Sequence, residues 1–191
     1  MLERKDVFVL APTGSGKSLC FHLIPAVLRA LGTTSALVVV FSPLMWLIDD
    51  QMSRLVKMGE KPARPATWYP DANFLFLRHE ELTSRVIQKL QAVFLSSKWL
   101  AFVVDEAHCA LNWGDSFRPD YRELKGKLSI FQGVPKMALT ATASKRTIGD
   151  ITTYLGQAAP KIYILKFEAP TRGCLSLKTF LWSCRWAGKR H

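Results

Sequence analysis

Val7-Phe8-Val9-Leu10-Ala11-Pro12-Thr13-Gly14-Ser15-Gly16-Lys17-Ser18 is the stretch that decides the fold. Four apolar residues read as a strand buried on both faces, two glycines mark a tight turn, and Lys17 opens a segment to Leu31 with apolar residues at helical spacing. Strand, glycine-rich turn and Lys-Ser at a helix start match the phosphate loop, with Ala11 in place of the leading glycine. The glycines let the backbone curl so that successive amides point at phosphate oxygens, and the helix N-terminus adds partial positive charge. Lys17 suits the β/γ-phosphates and the Ser18 hydroxyl suits Mg²⁺. A Gly/Ser turn ahead of a helix is the alternative, and the order of the pieces weighs against it.

Outward from that loop the pattern repeats. Ala36 to Phe41, Phe74 to Leu77, Leu100 to Val104, Met137 to Leu139 and Ile162 to Ile164 are further short apolar runs. Between them, Leu44 to Met58, Leu82 to Ser96 and Lys145 to Leu155 carry helical periodicity. The alternation predicts an α/β domain with a mostly parallel sheet and helices on both faces. Gly59 to Asn73, with Pro62, Pro65 and Pro70, reads as a loop where a further helix and strand would be expected. Residues 161 to 191 hold seven Lys/Arg and one Glu, with strand-like fragments that have no evident partner.

Composition narrows the class. With 49% hydrophobic and 21% charged residues, the 191-residue chain can bury the core of one domain, so disorder is excluded as its main state. Its net charge of +11 favours a polyanionic partner without naming one. The longest apolar run, Ala36 to Ile48, is broken by Ser42-Pro43 and falls short of the ~20 residues that span a bilayer, so the chain reads as soluble, with no membrane partner. The opening residues lack a signal-peptide core. Cys20, Cys109, Cys174 and Cys184 show no metal-ligand spacing and read as reduced thiols in a cytosolic or nuclear protein.

Asp105-Glu106-Ala107-His108 follows the strand Leu100 to Val104, at the sheet edge where such folds place ligands. Asp105 suits a Mg²⁺ contact and Glu106 suits polarising the water that attacks the γ-phosphate. A solvated strand end is the bland reading of an acidic pair, and the phosphate loop argues against it. Asn112 to Tyr121 sets Trp113, Phe117 and Arg118 close after the acidic pair. It is either a nucleic-acid sensor, with bases stacked on Trp113 or Phe117 and Arg118 on phosphate, or an aromatic-packed loop. Thr140 and Thr142 either hydrogen-bond to His108 or cap the helix that begins near Ser144.

In order and style these pieces resemble the RecQ-like DNA helicases of superfamily 2. Ala-Pro-Thr-Gly-Ser-Gly-Lys-Ser, Phe-Ser-Pro-Leu with Asp50-Gln51, Asp-Glu-Ala-His-Cys, Trp-Gly-Asp-Ser-Phe-Arg-Pro-Asp-Tyr-Arg and Ala-Leu-Thr-Ala-Thr-Ala carry the resemblance. It implies a single RecA-like lobe over residues 1–168 followed by a basic tail, 169–191. It further implies ATP and Mg²⁺ as cofactors, with nucleotide contacts by Thr13, Gly14, Ser15, Gly16, Lys17 and Ser18. Metal would be held by Ser18 and Asp105, and Lys17, Asp105, Glu106 and His108 would form the catalytic set. DNA contacts are implied at Ser42, Pro43, Leu44, Trp113, Phe117 and Arg118.

The activity implied is ATP-driven 3′ to 5′ unwinding of single-stranded or 3′-tailed DNA in repair and recombination, with a nuclear setting favoured over a cytoplasmic one. The resemblance has departures. The upstream adenine-reading Gln, the second RecA-like lobe, the arginine finger, the zinc module and the winged helix are not among these residues, so a fragment or a truncated product is the expectation. Arg78-His79-Glu80-Glu81-Leu82 stands where the family has a Pro-Glu-Arg-Leu type of motif. Two alternatives stand beside the motor: a catalytically silent nucleotide- and DNA-binding module, and an RNA-directed lobe of the same superfamily. The Trp113 loop argues against RNA.

Overall fold

The computed structural model describes residues 1–33, 35–96, 98–109, 120–157, 159–167 and 177–182. Eight strands form one sheet: β1 Val7–Leu10, β2 Ala36–Phe41, β3 Pro62–Ala63, β4 Phe74–Leu77, β5 Trp99–Val104, β6 Lys136–Thr140, β7 Lys161–Phe167 and β8 Leu177–Trp182. Their order is β3-β4-β2-β5-β6-β1-β7-β8, parallel throughout except for the antiparallel β7–β8 pair. The helices are α1 Leu19–His22, α2 Ile24–Ala30, α3 Met45–Lys57, α4 Ser84–Leu95, α5 Asp120–Ser129 and α6 Lys145–Tyr154.

Residues that alternate along each strand build two cores. Leu37, Val39 and Phe41 of β2, with Leu100, Phe102 and Val104 of β5, face Val86 and Leu90 of α4, Leu124 and Leu128 of α5 and Ile148 and Ile151 of α6. Val38 and Val40, with Ala101 and Val103, face Phe21 of α1, Ile24 and Leu28 of α2 and Ile48 and Leu55 of α3. Both faces of the central strands are therefore dry, which is why they read as unbroken apolar runs.

Three expectations are corrected, and one helix appears that the sequence reading did not name. Lys17 to Leu31 is two helices, because Pro25 has no N–H to continue the ladder and serves instead in the first turn of α2. The segment Gly59 to Asn73 holds the two-residue β3 and a 3₁₀ turn, Pro65–Thr67, where it read as loop alone. Asp120–Ser129 is helical, although Leu124 and Leu128 are its only buried hydrophobics among the described side chains. The strand-like fragment Leu177–Trp182 does have a partner, since it pairs with β7 from Ile162 to Phe167.

The topology fixes where chemistry can occur. β1 lies between β6 and β7, yet the chain leaves it for β2, three places away, and returns through β6 before reaching β7. That reversal leaves the C-terminal ends of β1, β6, β5 and β2 side by side, the position of a ligand crevice in open α/β sheets.

Candidate nucleotide-binding site

The turn from β1 into α1 is built on two left-handed glycines. Gly14 and Gly16 have φ of +78° and +81°, and a Cβ on Gly14 would meet nothing within 4 Å, so conformation and not space demands glycine there. The Ser15 N–H donates to the Pro12 carbonyl at 3.2 Å, and the Leu19 and Cys20 amides return to Gly16 and Lys17 at 2.9 and 3.0 Å. Thr13 is exposed and Ser18 half-buried, while the Ser15 hydroxyl is buried without a partner among the described residues. Lys17 is only 9% exposed and donates from Nζ to the Pro12 carbonyl at 3.2 Å, so a buried cation spans its own loop.

The acidic turn is anchored by backbone bonds from both neighbouring strands. The Asp105 N–H donates to Phe41 of β2 at 2.9 Å, and that of Ala107 to Leu139 of β6 at 2.8 Å. Between them Glu106 takes φ +48°, a left-handed conformation uncommon for a residue with a Cβ. Asp105 is buried, its Oδ1 accepting from the Glu106 N–H at 3.0 Å and its Oδ2 from Gln51 Nε2 at 2.8 Å. Burial pushes the Asp105 carboxyl above its ordinary range, against the pull of Gln51, the Glu106 amide, Lys17 and His108. Glu106 is raised too, by burial first and by the Asp105 charge second, with Lys17 and His108 opposing. Lys17 acts on both carboxyls, which brings the phosphate loop and the acidic turn into one electrostatic site.

His108 closes the arrangement. Its Nδ1 lies 2.9 Å from Thr140 Oγ1 and 3.3 Å from Glu106 Oε2, and its Nε2 lies 3.6 Å from Cys109 Sγ. Of the two threonines proposed as partners, Thr140 is the one used, and Ser144 caps α6 by accepting from the Thr147 N–H at 3.1 Å. Ser42 is buried, with its N–H on the Leu77 carbonyl at 3.2 Å, and Leu44 is exposed at the start of α3. Trp113, Phe117 and Arg118 lie outside the described residues.

Two residues that sequence reasoning left without a role belong here. Gln51 was quoted only as part of a motif, and nothing local marks it as the partner of a carboxylate 54 positions away. Trp46, 67% exposed beside Leu44 and Met45, makes an apolar lip at the N-terminus of α3. A tryptophan three residues after Ser-Pro was the available signal.

The donor set fits a magnesium nucleotide. Asp105 and Ser18 offer hard oxygens, and no cluster of three or more acidic, histidine or cysteine ligands is present among the described residues, which leaves most of a Mg²⁺ sphere to water and phosphate. When bound, the ion would shield charge on the phosphates. Lys17 and the loop amides would hold those phosphates, and Glu106 would orient and deprotonate the attacking water.

Comparison with known proteins identifies the family. The RecQ-like DNA helicase BLM of Xenopus laevis is 35% identical over 182 residues, covering 86% of this chain and 13% of that protein. The ATP-dependent helicase SGS1 of Saccharomyces cerevisiae is 40% identical over 169 residues, covering 78% of this chain and 11% of its own length. For the probable ATP-dependent DNA helicase RecS of Bacillus subtilis the values are 37%, 81% and 32%. The chain thus spans a third or less of these relatives. Among solved structures, the Pyrococcus furiosus Hef helicase domain superposes with a TM-score of 0.56 at 15% identity over 85% of this chain and 36% of that one, a likeness of fold. Residues 1–151 match the DEAD/DEAH box helicase family, a span running from β1 into α6, and to that family the chain belongs.

Proposed function

We propose that this chain is the ATP-binding lobe of a RecQ-like 3′ to 5′ DNA helicase, active in DNA repair and recombination, with a nuclear setting. The observation that carries the reading is a glycine-built phosphate loop after β1, with Lys17 buried in it, and an acidic turn after β5, both at the C-terminal edge of one parallel sheet. In it, Thr13 to Ser18 hold ATP, Ser18 and Asp105 hold Mg²⁺, Glu106 serves the attacking water, and the His108–Thr140 bond reports nucleotide state to the rest of the lobe. Ser42, Pro43 and Leu44, with Trp113, Phe117 and Arg118, would contact DNA.

A motor of this class steps by closing two lobes around ATP, and an arginine from the second lobe contributes roughly 10³ to 10⁵ in rate in NTPases generally. The 191 residues supply one lobe. Strand separation is therefore expected only when a second lobe is provided, by further chain or by a partner. Isothermal titration tests the core of the reading: wild type binds Mg-ADP, and Lys17→Ala abolishes it. Equal affinity with and without Lys17 would end the assignment. An unwinding assay on a 3′-tailed duplex, with Glu106→Gln as control for contaminating helicase, tests the one-lobe argument.

A further inference from the structure

Two polar side chains lie buried between the phosphate loop's helix and the acidic turn, and nucleotide chemistry accounts for neither of them. Gln51, 2% exposed on α3, donates from Nε2 to Asp105 Oδ2 at 2.8 Å. His22, 3% exposed on α1, sits edge-on to Phe21 and Phe74 with ring centroids 4.6 and 6.3 Å away. Gln51 Oε1 and His22 Nε2 are both buried, and neither has a hydrogen-bond partner among the described residues. Buried polar atoms in native proteins are almost always paired, and these two are complementary, an amide oxygen and a ring nitrogen that can carry a proton. Burial pushes the His22 pKa down, with the Gln51 side chain opposing and the Arg54 charge adding to the shift.

The amide of Gln51 has two unlike ends. With Nε2 committed to a carboxylate, Oε1 is left for the ring, which must then carry its proton on Nε2. His22 is also joined to the loop, because its backbone N–H donates to the Ser18 carbonyl at 3.0 Å. Pairing of these two orphaned atoms would join Ser18 to Asp105 through His22 and Gln51. Ser18 and Asp105 are the residues assigned to Mg²⁺, and they lie 87 positions apart.

We propose that His22 and Gln51 are positioning residues for the metal site: His22 orients the Gln51 amide, and Gln51 fixes the Asp105 carboxylate in register with Ser18. Each Asp105 oxygen then keeps a free lone pair toward the ion, while one lone pair is occupied by the Glu106 amide or by Gln51. The loop and the carboxylate move as one unit, so Mg²⁺ meets a preset spacing.

This rests on the reading of Ser18 and Asp105 as metal donors, and the test separates the two. Affinity for a fluorescent ADP analogue is measured in Mg²⁺ and in EDTA for wild type, His22→Phe, Gln51→Met, the double variant and His22→Gln. The expected result is a roughly tenfold loss of the Mg²⁺-dependent gain in His22→Phe and Gln51→Met, with affinity in EDTA within twofold of wild type. The double variant loses no more than either single one, and His22→Gln, which keeps a donor, regains most of the effect. A Mg²⁺-dependent gain that survives both substitutions, or a loss of equal size in EDTA, overturns the positioning role alone. A wild-type chain that binds with no Mg²⁺-dependent gain overturns the metal assignment and this proposal with it. Thermal melting of each variant identifies one that fails to fold, and His22→Gln then carries the comparison through the same Mg²⁺-to-EDTA ratio.

Discussion

His108 Nδ1 lies 2.9 Å from Thr140 Oγ1, tying the acidic turn after β5 to the last residue of β6. The same hydroxyl meets the Thr142 backbone at 3.1 and 3.3 Å, so one buried oxygen serves three elements of the site. Thr140→Val keeps the shape and removes that oxygen. Loss of its bonds should cost about 1–3 kcal/mol. Each kcal/mol lowers Tm by about 2–4 °C at this chain length. Mg-ADP affinity should stay within twofold, because Thr140 meets the phosphate loop only through its backbone carbonyl, which accepts from Ala11. Differential scanning calorimetry and a nucleotide titration check both halves.

Asp105 is a carboxylate that burial disfavours, and its sign with pH is opposite to that of an ordinary salt-bridged acid. Its folded pKa is raised above the ordinary aspartate range, so the folded state binds the proton more tightly than the unfolded one. The stability cost of its charge therefore develops as pH climbs from about 4 through the folded pKa, and is constant above it. Asp105→Asn should raise Tm at pH 7.5 by a few degrees, on the order of 2–4 °C per kcal/mol recovered, with little effect near pH 4. Mg²⁺-dependent nucleotide affinity should fall in the same variant. A lower Tm at pH 7.5 would show that the partners of Asp105 outweigh its desolvation.

Single-stranded DNA should bind with a steep salt dependence, because a chain of net charge +11 meets phosphate chiefly by releasing counterions. The expected Kd is on the order of 10⁻⁴ to 10⁻⁶ M at physiological salt, with a slope near −0.7 per phosphate contacted. Replacing Arg185, Lys189 and Arg190 by Gln should flatten that slope if the basic tail touches the strand. An unchanged slope by fluorescence anisotropy would assign binding to the lobe itself.

Phe102 is fully buried against Phe41 and Phe131, with ring centroids 6.3 and 5.2 Å away. Phe102→Ala should lose about 3–5 kcal/mol, since a cavity at the centre of a two-sided sheet cannot collapse. Urea unfolding should show a lower midpoint at an unchanged m-value.

The central strands were legible because they are buried on both faces. Val7 to Leu10, Ala36 to Phe41 and Phe74 to Leu77 occupy the spans their apolar runs suggest. The phosphate loop and the acidic pair were legible for a related reason, as their residues are neighbours in sequence. Asp120–Ser129 was not, because two leucines at four spacing among charged residues and Gly126 give too little periodicity to stand out. Gln51 was equally hidden, since a polar residue on an amphipathic helix looks solvated until the sheet brings Asp105 against it.

The left-handed backbone at Glu106 sets the catalytic role proposed for this position against its conformational preference. A residue with φ of +48° gains nothing from a Cβ, and Gly or Asn would adopt the same turn with less strain. A library randomised at position 106 and screened for heat resistance alone should therefore return Gly and Asn, while Val and Ile disappear. Chains chosen that way would keep the phosphate loop but lack the carboxylate proposed to serve the attacking water. Thermal selection on this fold would drift from the proposed motor lobe to a mere nucleotide holder through a single codon, with no change in the sheet around it.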